Sequence, residues 1–110
     1  MEKFVVGEVV VLPFPYSDQP KRTVRPALVV QVTSHGDGLI CMITTQGYGD
    51  KNIVDIPGEE QDQCNLYHAG VVRYTKLTTV APSQASRAIG SVSASFVALV
   101  QNKIAKWLTT

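Results

Sequence analysis

Gly7-Glu8-Val9-Val10-Val11-Leu12-Pro13-Phe14-Pro15 and, after a loop, Val24-Arg25-Pro26-Ala27-Leu28-Val29-Val30-Gln31-Val32 are the two stretches that decide the fold. β-Branched residues crowd both runs, and Pro13 and Pro15 end the first because proline cannot donate to a central ladder. Both runs are therefore predicted strands, with Pro26 tolerable only near the start of the second or at a sheet edge. Between them, Tyr16 to Thr23 carries Ser, Asp, Pro and the pair Lys21-Arg22, the composition of an exposed loop.

Working outward, His35-Gly36-Asp37-Gly38 is turn chemistry, since Gly and Asp accept positive φ, and it joins the second strand to Leu39–Thr44 as a hairpin. Gln46 to Asp50 reads as a Gly-rich loop, Asn52 to Ile56 as a short strand, and Pro57-Gly58-Glu59-Glu60 as an acidic turn. Val71–Tyr74 and Leu77–Val80 are two short strands or one bent one, and Ala88–Val92 is a last strand. Only then does a helical period appear. Ser93 or Ser95 is the expected N-cap, and Phe96, Val97, Val100, Ile104, Trp107 and Leu108 recur at spacings of three and four, which predicts one buried face with Trp107 in the core. Lys103 and Lys106 fall in the last turns, where positive charge complements the helix dipole. The fold class is thus mainly β with a C-terminal helix.

At 110 residues, 45% hydrophobic and 17% charged, the chain fits one domain spanning 1–110. No apolar run approaches the length of a membrane span or a signal-peptide core, so a cytoplasmic protein without a membrane partner is expected. Cys41 and Cys64 are too few for a disulfide framework and are expected to be reduced thiols. The net charge of +1 conceals an asymmetry. Asp50, Asp55, Glu59, Glu60 and Asp62 face only Lys51 within their segment, whereas Gln63 to Thr110 holds Arg73, Lys76, Arg87, Lys103 and Lys106 and no acidic residue. With Lys21, Arg22 and Arg25, these cations form either one positive face suited to a polyanion or part of a mixed solvated surface.

Common catalytic signatures are missing: there is no Gly-x-Ser-x-Gly, no Gly-Lys-Ser/Thr phosphate loop and no His-Glu-x-x-His. His35, Cys41, Cys64 and His68 are zinc-ligand types, but Cys64-x-x-x-His68 lacks the paired spacing of structural zinc modules, so neither metal nor other cofactor is expected.

The Gly-Glu-hydrophobic strand Gly7–Leu12, the Pro13-Phe14 loop, the basic Lys21-Arg22 and the Arg25-Pro26-hydrophobic strand resemble, in that order, the PemK/MazF-like toxins of type II toxin–antitoxin modules. The resemblance continues through Met42-Ile43-Thr44-Thr45-Gln46, Gly70-Val71-Val72-Arg73 and Leu77-Thr78-Thr79-Val80, and covers nearly the whole chain. It implies an SH3-like small β-barrel of the CcdB/MazF type, a homodimer, and a groove for single-stranded RNA. It also implies a metal-independent endoribonuclease, an mRNA interferase, held in check by a cognate antitoxin. Carried over residue by residue, Arg25, Thr44 and Arg73 become the catalytic set, and Lys21, Arg22, Thr45, Gln46, Thr75 and Lys76 the RNA contacts.

These residue types suit metal-free RNA cleavage. The substrate's own 2′-OH attacks the adjacent phosphorus, so the protein supplies alignment, proton transfer and stabilisation of the phosphorane charge rather than a nucleophile. Arginine offers phosphate a bidentate fork; Thr44 can orient a phosphate oxygen but is no base; Arg73, with an ordinary pKa above about 12, is a poor proton acceptor. Some relatives carry an Asp two residues after the second arginine, where this chain has Thr75. His68, His35 and Asp18 are the possible substitutes, and the general base stays unassigned. Plain structural roles remain open beside each assignment: Arg25 as a partner of Asp18 or an acidic loop, Thr44 as a strand residue, and Lys21 and Arg22 as loop charges. Tyr48, Tyr67, Tyr74 and Trp107 are the aromatics to consider for base stacking, Trp107 being assigned to the core by its place on the helix's apolar face. A degenerate member that binds RNA or antitoxin without turnover, and a CcdB-like gyrase inhibitor, are the competing functions.

Overall fold

The computed structural model describes residues 1–13, 24–47, 49–66 and 68–110. Lys21, Arg22, Asp18, Tyr48 and Tyr67 lie outside the described residues. Strands β1 (Glu8–Pro13), β2 (Val24–Val32), β3 (Gly38–Thr44), β4 (Ile53–Asp55), β5 (Val71–Val80) and β6 (Arg87–Ser91) form one sheet in the order β4-β5-β3-β2-β1-β6. Every neighbouring pair is antiparallel. The strand order fits the small-barrel type expected from the sequence, with β4 and β6 left unpaired to each other among the described residues. Pro26 sits opposite Val11 of β1, just before the registered pairing of β2 with β3 begins at Ala27 and Met42. The proline is thus accommodated at the start of its strand.

Alternation along the strands sorts the apolar residues into two cores. Val9, Leu28, Val30, Cys41, Ile43, Val54 and Val72 share one with Phe96, Val97, Val100 and Ile104 of helix α2 (Ala94–Leu108). Val10, Leu12, Ala27, Val29, Ile40 and Met42 share the other with Phe4, Val80 and Ala85. The turn between β2 and β3 closes as expected: Gly36 has φ +90°, and the amide of Thr33 donates to the carbonyl of Asp37 at 2.8 Å.

Strand β5 is a single bent strand. Arg73 lies opposite Met42 and Leu77 opposite Cys41, so Tyr74, Thr75 and Lys76 have no registered partner on β3. The odd excess reverses which face the strand's residues address. Val72 and Tyr74 belong to the helix-side core, and Val80, of the same parity in sequence, belongs to the other.

Two expectations need correction. The segment read as an acidic turn opens helix α1 (Gly58–Gln63), with Pro57 extended before it and Glu59 and Glu60 in the first turn, where the dipole favours carboxylates. Glu60 is buried: its carboxylate accepts from the Ser93 amide at 3.0 and 3.1 Å and from the Ser93 hydroxyl at 2.7 Å. Ser93 in turn caps α2 by accepting from the Phe96 amide at 3.2 Å, so α1 and the start of α2 are tied by one carboxylate. The apolar face of α2 also ends a turn early. Ile104 is its last buried residue, and Trp107 and Leu108 stand 40% and 66% exposed, not in the core.

Gly90 marks the closest approach of β6 to α1. A Cβ there would lie 2.6 Å from the Cys64 Cα and 2.6 Å from the Gln63 carbonyl, both backbone atoms that cannot swing away. Gly90→Ala is expected to cost about 1–3 kcal/mol by overpacking. Gly58→Ala, whose Cβ would meet nothing within 4 Å, should stay within about 0.5 kcal/mol of the parent or exceed it. Urea unfolding of the two variants checks both values.

Candidate RNA-binding site

Met42 stands between Ala27 of β2 and Arg73 of β5 in one row across the sheet. Arg25 lies two residues from Ala27 and Thr44 two residues from Met42, both toward the same end, so alternation puts Arg25, Thr44 and Arg73 on one face. That face belongs to the second core, which includes Leu12, Ala27 and Met42 at this end. The three polar residues border it: Arg73 shares the row of Ala27 and Met42, and Arg25 lies opposite Leu12, itself a member of that core. Strand spacing separates the backbones of β2 and β5 by about 10 Å, with Thr44 between, a gap two arginine side chains can bridge.

Thr44 is 4% exposed, and its hydroxyl accepts from the Gln46 amide at 3.3 Å, which turns the chain out of β3. Thr45 and Gln46 follow, both exposed beside the three. Thr75 is partly buried and Lys76 exposed; both belong to the bulge of β5. His35 occupies the β2–β3 turn, at the end of the hairpin opposite Arg25, which removes it as a base for this site. His68 is exposed and precedes β5 at the end that carries Thr44. Tyr74 is 8% exposed and packs in the helix-side core, so its ring is not open for base stacking as the sequence allowed.

One member of the site escaped the sequence reading. Asp50, counted there only as part of an acidic segment, accepts from Arg73 Nε at 3.0 Å through Oδ2 and from the Asn52 amide at 2.8 Å through Oδ1. Its amide donates to the Gly47 carbonyl at 2.8 Å, and Asn52 accepts from the Tyr74 hydroxyl at 3.0 Å. The Asp-x-Asn spacing of an Asx turn was visible in sequence, but the distance of Asp50 from Arg73 along the chain hid the ion pair.

The Asp50 carboxyl titrates below its ordinary value of 3.8. The Asn52 amide is the largest cause; the Arg73 hydrogen bond and charge and the more distant charge of Lys76 act in the same sense, opposed by desolvation. The pair is accordingly present at neutral pH and lost only as pH falls through that lowered pKa. An NMR titration of the Asp50 carboxyl carbon should therefore show its midpoint below 3.8, and no inflection between pH 5 and 9.

Cys41 and Cys64 are free and buried. Burial pushes the Cys41 thiol up to about 12 and raises that of Cys64 as well. Among the described residues no group of three His, Cys, Asp or Glu side chains is disposed to hold a metal ion, and no helix is long and apolar enough to cross a membrane.

Residues 6–108 match the family described as PemK-like, MazF-like toxin of type II toxin-antitoxin system. The chain belongs to that family. Its fold is shared with MazF from Deinococcus radiodurans, at a TM-score of 0.72 and 23% identity over 96% of each chain. An endoribonuclease from Mycobacterial species superposes with a TM-score of 0.74 at 15% identity, covering 99% of this chain and 94% of the other. The MazE–MazF complex from Deinococcus radiodurans gives 0.71 at 24% identity over 96% and 95% of the chains. A search of curated protein sequences finds no match. This PemK/MazF-like toxin thus shares its fold with MazF structures, and its sheet brings Arg25, Thr44 and Arg73 to one face.

Proposed function

We propose that this toxin is a metal-independent endoribonuclease that cleaves single-stranded RNA, with Arg25, Thr44 and Arg73 as its catalytic residues. The observation that carries the proposal is their gathering on one face, from three different strands, beside the second apolar core. Two guanidinium groups flanking a hydroxyl can embrace one phosphodiester. The ribose 2′-oxygen bonds to phosphorus and gives up its proton, the bond from phosphorus to the 5′-oxygen breaks, and that oxygen takes a proton as it leaves. The products are a 2′,3′-cyclic phosphate and a 5′-hydroxyl. Arg25 stabilises the charge that grows on the non-bridging oxygens, and Thr44 orients one of them.

Thr45, Gln46, Thr75 and Lys76 border this face and are the proposed RNA contacts, with Lys21 and Arg22 adding phosphate attraction. Solved structures of a Mycobacterial endoribonuclease and of MazF contain their antitoxins. By that likeness a cognate antitoxin is the proposed protein partner here, acting on a cytoplasmic homodimer.

Incubation with a long single-stranded RNA in EDTA tests the proposal. The wild-type chain is expected to cut at defined sites and leave 2′,3′-cyclic or 3′-phosphate ends. Arg25→Ala should slow cutting about 10²-fold or more while remaining folded by circular dichroism. Cutting that requires a divalent metal, or an Arg25→Ala variant as fast as wild type, would overturn it.

A further inference from the structure

We infer that Asp50 is a positioning residue for Arg73, supplying a carboxylate contact from the loop before β4. The inference rests on the ribonuclease reading above and names a residue that the family resemblance did not. Its two carboxylate oxygens have different tasks. Oδ1 accepts from the Asn52 amide at 2.8 Å and so fixes the carboxylate within its own loop, while Oδ2 accepts from Arg73 Nε at 3.0 Å. Contact through Nε constrains rotation of the guanidinium about its stem and directs its opposite edge.

The anchor is itself held. Asn52 Oδ1 accepts from the hydroxyl of Tyr74, whose ring is locked in the helix-side core, and the Asp50 amide closes a turn on the Gly47 carbonyl. Arg73 thus projects onto one face of the sheet while its neighbour Tyr74, on the other face, holds the loop that carries its partner. The paired side chains are 17% and 13% exposed, so the contact is shielded from the screening that weakens surface ion pairs. The ionised carboxylate is too weak a base to take the 2′-OH proton readily at neutral pH, which argues for aiming Arg73 rather than for proton transfer.

Asp50→Asn keeps an oxygen acceptor and the side-chain shape but removes the charge. With wild type, Arg73→Ala and the double variant, it forms a cycle read by single-turnover RNA cleavage, RNA affinity and melting temperature. Asp50→Asn is expected to lower the cleavage rate about 10²-fold, as small misplacements of a catalytic group do. RNA should bind as tightly or more tightly, because a negative charge beside the phosphates is gone. In the Arg73→Ala background the Asp50→Asn change should have no further effect on rate. Additive losses, or a rate that falls only in step with melting temperature and RNA affinity, would overturn the positioning role. A wild-type rate for Asp50→Asn alongside active wild type would overturn the Asp50 inference alone, whereas uncut RNA with wild-type protein would overturn the ribonuclease reading and this inference with it.

Discussion

Strand β3 is the constraint on which the rest depends. It lies inside the sheet between β2 and β5, and apart from Leu39 each of its residues from Gly38 to Thr44 is buried. Its alternation divides the apolar residues between a core under α2 and a core under the N-terminal segment. Neither core could shift by one residue without exchanging its contents with the other. Thr44, the final residue of that strand, is therefore placed as firmly as the core residues before it, and Arg25 and Arg73 take their positions from the strands on either side.

The elements around this centre are secured by polar contacts as well as by burial. Glu60 is the clearest case, since a carboxylate removed from water is tolerable only when hydrogen-bonded, and its acceptors are satisfied by the amide and hydroxyl of Ser93. Gln101 adds a second tie, donating from α2 to the Val30 carbonyl at 2.8 Å. Two of the acidic residues that looked like a repulsive segment are thus engaged elsewhere: Glu60 holds a helix and Asp50 holds an arginine. What remains exposed of that charge is Asp55, Glu59 and Asp62.

The strands and the helix cap were legible because their causes are local. β-Branched runs ended by Pro and Gly gave β1 to β3, and Ser93 followed by Phe96, Val97 and Val100 gave the start of α2. Family resemblance singled out Arg25, Thr44 and Arg73 as candidates, and strand pairing puts these three distant residues on one face. What stayed hidden depended on distance or competition. The Asp50–Arg73 pair joins residues far apart in sequence, Glu60 looked like an ordinary surface acid, and the apolar period of α2 continued to Leu108 although burial stops at Ile104.

The bulge at Tyr74, Thr75 and Lys76 also governs how this protein can vary in length. Because it reverses which face the residues of β5 address, it separates a half that presents Arg73 from a half that packs Leu77 and Val80. Gain or loss of two residues there preserves that reversal and leaves both halves seated. Gain or loss of one would turn either Arg73 into the helix-side core or Leu77 and Val80 each toward the other's core. Relatives that differ in length at this point should therefore differ by even numbers, and the residue found after the arginine reports the size of the bulge as much as the chemistry of the site.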